Sequence, residues 1–316
     1  MIIETIHLYE DKKDITLTTY IVAEQGELSE VNPRPAVLIC PGGGYFNCSD
    51  REAEPIALQF AVLGYHAFVL RYSTYTEGKP DLPEFGKPIP VKKDRTHPAP
   101  VRDIGKAMLY IHENAQKWHV DTDRIAVCGF SAGGHNSAMY GVYWDKPLIT
   151  DYFGVEKEML KPAAMILGYP ITDYIFLRDT EKAPMDKEFF DNSNHIFIGE
   201  ENDSDEILES VSPARLVSES TPPAFIWATA GDNLVPAQHS IRMAHALADK
   251  KIPFELHIFE EGDHGLSTAT QAAAIAKSQI NEDVAQWITL AGKWLEKRFR
   301  LDMPDITPFE AMMANK

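Results

Sequence analysis

From Pro35 onward the chain alternates short apolar runs with longer stretches in which apolar residues recur at helical spacing. Residues 36–40, 67–70, 124–128, 163–167, 224–230 and 255–259 read as strands. Residues 52–63, 101–117, 131–143, 237–250 and 281–299 read as helices, and Gly64 fits the stop after the first of them. Strands separated by helices in this way predict an α/β fold: a mostly parallel central sheet with helices on both faces. The first thirty residues break the rhythm. No helix-length segment separates their halves, so Thr16-Leu17-Thr18-Thr19-Tyr20-Ile21-Val22 is placed in an antiparallel hairpin at the sheet edge. Two further segments break it: 73–100, rich in proline and lysine, and 173–213, which carries Tyr174, Phe176, Phe189, Phe190 and Phe197. Irregular stretches of that length in a compact domain are more often functional covers than connectors, although a small satellite core explains the aromatic residues equally well. Residues 1–316 are thus expected to form one domain with insertions at 73–100 and 173–213 shaping a site.

Charge narrows the partners. Thirty basic against forty-seven acidic residues leave a net charge of −17, which repels phosphate backbones and anionic membranes, so neither nucleic acid nor membrane is an expected partner. The acidic excess is spread along the chain and densest at 200–206, and reads as a solubility feature. Met1-Ile2-Ile3-Glu4-Thr5-Ile6-His7 lacks a basic region followed by an apolar run, and no apolar stretch approaches bilayer length, so a cytoplasmic location is expected. Cys40, Cys48 and Cys128 form no C-x-x-C pair and read as reduced thiols in or near the core. The tail 301–316, with Met303, Phe309, Met312 and Met313, is a candidate for packing on the core or on a second subunit of a homo-oligomer.

Chemistry concentrates at Ala126-Val127-Cys128-Gly129-Phe130-Ser131-Ala132-Gly133-Gly134-His135, an apolar strand running into Gly-x-Ser-x-Gly and a helix start. A serine hydroxyl is a poor nucleophile until a sharp turn lifts it toward a base, and Gly129 and Gly133 leave room for such a turn. An ordinary glycine-rich turn is the competing reading, and the strand in front argues against it. Pro41-Gly42-Gly43-Gly44-Tyr45-Phe46 follows an earlier strand. Its bare backbone suits the N–H donors that an oxyanion needs, with Gly43 and Gly44 as candidates beside the N–H of Ala132. A phosphate loop is excluded because neither G-x-G-x-x-G nor a following Gly-Lys-Ser/Thr is present. Tyr45 and Phe46 are candidate walls of an acyl or sugar pocket, with a core role equally open.

His264, in Gly262-Asp263-His264-Gly265 after the last strand, is the expected general base, and Asp232, after the strand before it, the expected orienting acid. Asp173 competes for that role, although a helix cap is its commoner use, and Asp263 adjoins His264 too closely. His135 reads as packed or bonded to backbone, and His97 and His195 lack a metal-like partner. The chemistry calls for no metal or cofactor. His264 would take the Ser131 proton, the alkoxide would attack an acyl carbon, and water would later release the acyl group, with an ester as the natural substrate.

With the order Ser131, Asp232, His264 in place, the chain resembles the α/β-hydrolases, and more narrowly the bacterial carbohydrate acetyl esterases and the bifunctional feruloyl and acetylxylan esterases. The resemblance covers most of the chain. It rests on Pro41-Gly42-Gly43-Gly44-Tyr45, Arg71-Tyr72-Ser73, Pro98-Ala99-Pro100 leading to Asp103, the Ser131 elbow, and Ser212-Pro213 through Gly231-Asp232 to Asp263-His264-Gly265. It implies a serine-dependent carboxylic ester hydrolase removing short acyl groups, acetyl foremost, from small-molecule esters such as acetylated xylo-oligosaccharides. One departure bears on substrate choice: lipase-like relatives carry His where this chain has Pro41. A peptidase of the same fold and a non-catalytic ligand-binding relative are the alternatives.

Overall fold

Six apolar runs become the parallel centre of one eight-stranded sheet. In the computed structural model, which describes residues 1–23, 31, 33–79, 82–84, 86–199 and 203–314, the strands are β1 (Thr5–His7), β2 (Thr16–Tyr20), β3 (Arg34–Cys40), β4 (His66–Arg71), β5 (Val120–Phe130), β6 (Ala164–Gly168), β7 (Ala224–Thr229) and β8 (Phe254–Phe259). Their order is β1-β2-β4-β3-β5-β6-β7-β8. β3 to β8 are parallel, whereas β1 pairs antiparallel with β2 and β2 with β4. The edge hairpin expected from the first residues is therefore present.

The central strands read as unbroken apolar runs because both faces are covered. In β3, Leu38 and Cys40 pack with Val101, Ile104 and Met108 of the helix Ala99–Glu113. Their neighbours Val37 and Ile39 face the opposite way, toward Ile56, Ala57 and Phe60 of the helix Glu54–Val62 and toward Trp287 and Trp294 of the helix Trp287–Glu296. Each of the Val, Leu, Ile, Phe and Met side chains among them contributes about 1.5–3 kcal/mol when taken out of water, so the two layers fix strand order and register together.

The observed elements depart from the expected ones in two places. The helix expected over 101–117 breaks at Asn114, whose side-chain amide donates to the Tyr110 carbonyl and so competes with the helical ladder. The segment 173–213 is mostly helical: Tyr174–Asp179, Pro184–Ile198, Asp205–Ser210 and Pro213–Leu216. Its Tyr174, Phe190 and Phe197 join the principal core instead of forming a satellite one. By contrast, the described residues between Ser73 and Pro98 form no helix or strand. The start of the acidic run, 200–202, lies outside the described residues. Met303, Phe309, Met312 and Met313 of the tail are exposed, so they do not pack on the core. Cys40 and Cys128 are buried, as expected. No helix among the described residues is long and apolar enough to cross a membrane.

Candidate active site

Ser131 sits between the end of β5 and the helix Ala132–Tyr143, with φ 52° and ψ −120°. A non-glycine residue held at positive φ is strained, and here the strain lifts the hydroxyl off the sheet at the top of the turn. The backbone around it is too close for side chains. A Cβ on Gly129 would lie 2.1 Å from the Gly133 carbonyl oxygen, and one on Gly133 would lie 2.1 Å from the Cys40 oxygen. The Ser131 N–H donates to the Gly168 carbonyl at 3.0 Å, tying the elbow to the end of β6.

Ser131, His264 and Asp232 come together in one line. His264 Nε2 lies 2.8 Å from Ser131 Oγ, and its Nδ1 lies 2.7 Å from Asp232 Oδ2. Asp232 Oδ1 accepts the N–H groups of Leu234 at 3.0 Å and Val235 at 2.9 Å, which fixes the carboxylate beneath the ring. The carboxylate accepts only, so Nδ1 carries the proton and Nε2 presents its lone pair to the Ser131 hydroxyl. The ring stands edge-on against Tyr169, with centroids 5.0 Å apart and planes at 69°.

The glycine run after β3 lies beside this line. Gly43 and Gly44 have φ of 128° and 60°, conformations that glycine adopts at no steric cost. Among the described residues, the N–H groups of Gly43, Gly44 and Ala132 have no hydrogen-bond partner. The helix Pro184–Ile198 lies across the loop: Ser193 Oγ donates to the Gly44 carbonyl at 2.8 Å, and a Cβ on Gly44 would lie 2.6 Å from the Phe189 ring. Tyr45 and Phe46, candidate pocket walls, are only 2% and 1% exposed and belong to the principal core. Tyr45 stacks on Phe197 at 4.1 Å and donates its hydroxyl proton to His135 Nδ1 at 2.6 Å; Phe46 packs on Phe189.

The remaining candidates have other duties. Asp173 caps the helix Tyr174–Asp179 through the Phe176 N–H, with Arg215 at 3.0 Å and Arg242 at 3.4 Å. Burial alone would raise its carboxyl pKa, but the Arg215 hydrogen bond, the Phe176 N–H and the two guanidinium charges together hold it below the usual carboxylate range. His135 is fully buried and donates from Nε2 to the Val211 carbonyl at 2.8 Å; burial pushes its pKa down to about 3. His97 is pushed down to about 4 by burial, then by Arg102, and His195 donates to the Ile89 carbonyl at 2.9 Å.

Two buried residues of the site escaped the sequence reading. Glu52 accepts the Gly42 N–H at 2.7 Å and the Tyr169 hydroxyl at 2.6 Å, and Tyr169 in turn underlies His264. Glu52 carries no sequence signal beyond its place at a helix start, and Tyr169 none beyond following a strand.

A mostly parallel sheet with a strained serine after its central strand, and a histidine and an aspartate on the loops after its last two strands, defines an α/β-hydrolase. Residues 90–247 match the BD-FAE family, and the chain belongs to that family. The chain is similar to endo-1,4-beta-xylanase B of Butyrivibrio fibrisolvens, 33% identical over 75% of this chain and 33% of that protein. It is also similar to an acetylxylan esterase of Xylanibacter ruminicola, 26% identical over 80% of this chain and 45% of that protein. The chain thus spans less than half the length of these curated relatives. Among solved structures, a carboxylesterase from Lactobacillus plantarum superposes with a TM-score of 0.75 at 26% identity, covering 96% of this chain and 100% of that one.

Proposed function

We propose that the chain is a serine-dependent carboxylic ester hydrolase that removes short acyl groups, acetyl foremost, from small substrates such as acetylated xylo-oligosaccharides. The observation that carries this reading is the unbroken line from Ser131 Oγ through His264 to Asp232, at 2.8 and 2.7 Å. His264 Nε2 accepts the hydroxyl proton as Oγ attacks the acyl carbon, and Asp232 stabilises the resulting imidazolium. The tetrahedral oxyanion is received by the N–H of Ala132 and those of Gly43 or Gly44, donors that have no other partner among the described residues. The imidazolium then protonates the departing alkoxide, and a water deprotonated by the same nitrogen hydrolyses the acyl-enzyme. An alkoxide leaves more readily than an amine, which favours an ester over a peptide. Residues 1–316 act as one catalytic domain in this reading, with the helix Pro184–Ile198 of the second insertion walling the glycine loop.

The carbohydrate part of the proposal draws support from the acetylxylan esterase relative. Its test is initial rates on p-nitrophenyl acetate, butyrate and octanoate beside acetylated xylo-oligosaccharides, for wild type and Ser131→Ala. Activity favouring acetate, with acetate freed from the sugar and lost in Ser131→Ala, is the expected result. Ester turnover that survives Ser131→Ala would overturn the mechanism, and turnover of simple esters alone would overturn the substrate class.

A further inference from the structure

Arg51 and Glu52 stand where the glycine loop, the loop after β6 and the loop after His264 meet. Glu52 is 3% exposed, and a buried carboxyl group is costly unless hydrogen bonds satisfy it. One oxygen accepts the Gly42 N–H at 2.7 Å, immediately before the candidate oxyanion donors; the other accepts the Tyr169 hydroxyl at 2.6 Å. That hydroxyl oxygen also accepts the Ser267 N–H at 3.0 Å, three residues past His264, and the Tyr169 ring supports the His264 ring. The backbone is fitted to this carboxylate: a Cβ on Gly42 would lie 2.7 Å from Glu52 Oε2 and 2.9 Å from Ser131 Cβ. Arg51 grips the same loop from its other side, donating to the Gly265 carbonyl at 2.8 Å and the Ala273 carbonyl at 2.6 Å, while its own carbonyl accepts the Ser267 hydroxyl at 2.5 Å. Burial first, then the Glu52 charge, raises the Tyr169 phenol well above its ordinary pKa, so it remains a donor to the carboxylate.

The geometry points to Glu52 as a positioning residue that sets the separation between the oxyanion donors of the glycine loop and the base His264. The assignment rests on the ester-hydrolase reading, because only a reaction with a tetrahedral oxyanion needs donors and base held at one spacing. Glu52 touches no reacting atom. It acts through Gly42 on one side and through Tyr169 and Ser267 on the other. A displacement of these loops by a fraction of an ångström should cost turnover more than ground-state binding.

The test measures kcat and KM on p-nitrophenyl acetate per active site, titrated with an organophosphate, for wild type, Glu52→Gln, Tyr169→Phe and the double variant. Affinity for a phenylboronic acid, which forms a tetrahedral adduct with an activated serine, is measured beside them. Glu52→Gln is expected to lower kcat per site about tenfold to hundredfold with KM changed by less than about threefold, and to weaken the boronate in step with kcat/KM. Tyr169→Phe, which keeps the ring and its packing, is expected to fall in the same direction, with the double variant no worse than about the poorer single. The proposal is overturned if kcat per site stays within about twofold of wild type in both singles, if the boronate affinity is unmoved, or if the two losses multiply. Should Glu52→Gln not fold, Tyr169→Phe decides alone on the same criteria. Failure of the underlying reading looks different: wild type itself would then show no Ser131-dependent ester turnover, and both would fall.

Discussion

Two histidines of this protein each sit within hydrogen-bond distance of a hydroxyl, and only one belongs to the reaction proposed above. His264 lies 2.8 Å from the Ser131 hydroxyl and His135 lies 2.6 Å from the Tyr45 hydroxyl. The difference is the third partner and the surroundings. Behind His264 stands the Asp232 carboxylate at 2.7 Å, and the ring is partly open to solvent. Behind His135 stands the neutral Val211 carbonyl, and Tyr45, Tyr174 and Phe197 enclose it. In the proposed reaction a proton on His264 faces the Asp232 carboxylate as counter-ion, whereas on His135 it would be a buried charge without one. A histidine–hydroxyl contact is therefore structural or chemical according to what lies on the far side of the ring.

Replacing the far partner of His264 should have the largest effect. Asp232→Asn would leave the geometry and favour the wrong tautomer, and is expected to lower kcat about 10³–10⁴-fold with the melting temperature nearly unchanged. Steady-state rates beside calorimetry would check this, and a loss under tenfold would place His264 in the same structural class as His135.

Acid should expose the opposite character of the buried rings. Burial lowers the pKa of His66 and His97 to about 4, and that of His135 and His239 to about 3, from an ordinary 6.5. Above pH 6.5 both folded and unfolded chains hold these rings neutral and their contribution is intact. Below it the unfolded chain gains protons that the folded one refuses, so stability falls as the pH drops from 6.5 toward 4, by at most about 1.4 kcal/mol per ring per pH unit. Melting temperatures across that interval should decline steadily, and a flat profile would contradict the neutral, buried assignment.

The smallest effect belongs to the hydroxyl beside His135. Tyr45→Phe strands a buried ring nitrogen and is expected to destabilise the fold by about 1–3 kcal/mol while turnover per active site changes little. A collapse of per-site turnover with stability unmoved would instead draw Tyr45 into the reaction.

The same contrast marks what the sequence could reveal. Gly129, Ser131 and Gly133 were legible because their spacing is dictated locally, by a turn in which a side chain at either glycine would overlap backbone. Asp232 and His264 were legible because strand ends place them, and the central strands because both faces demand apolar residues. The helix Pro184–Ile198 was not, since its buried Phe190, Ser193, Ile196 and Phe197 mix a polar residue into the inward stripe. Glu52 and Tyr169 were out of reach for another reason. They are 117 residues apart, and nothing in either local sequence announces their bond. Tyr45 shared the glycine motif yet proved to be core, because the helix that buries it comes from an insertion whose path no local pattern specifies.

The most direct test of the central claim is mass spectrometry of the intact and digested protein after reaction with a fluorophosphonate, a tetrahedral mimic that labels only a serine activated by a neighbouring base. A single adduct on the peptide bearing Ser131, formed in wild type and Tyr45→Phe but not in His264→Ala, is the result predicted. An unlabelled Ser131 in wild type, or labelling that persists without His264, would contradict it.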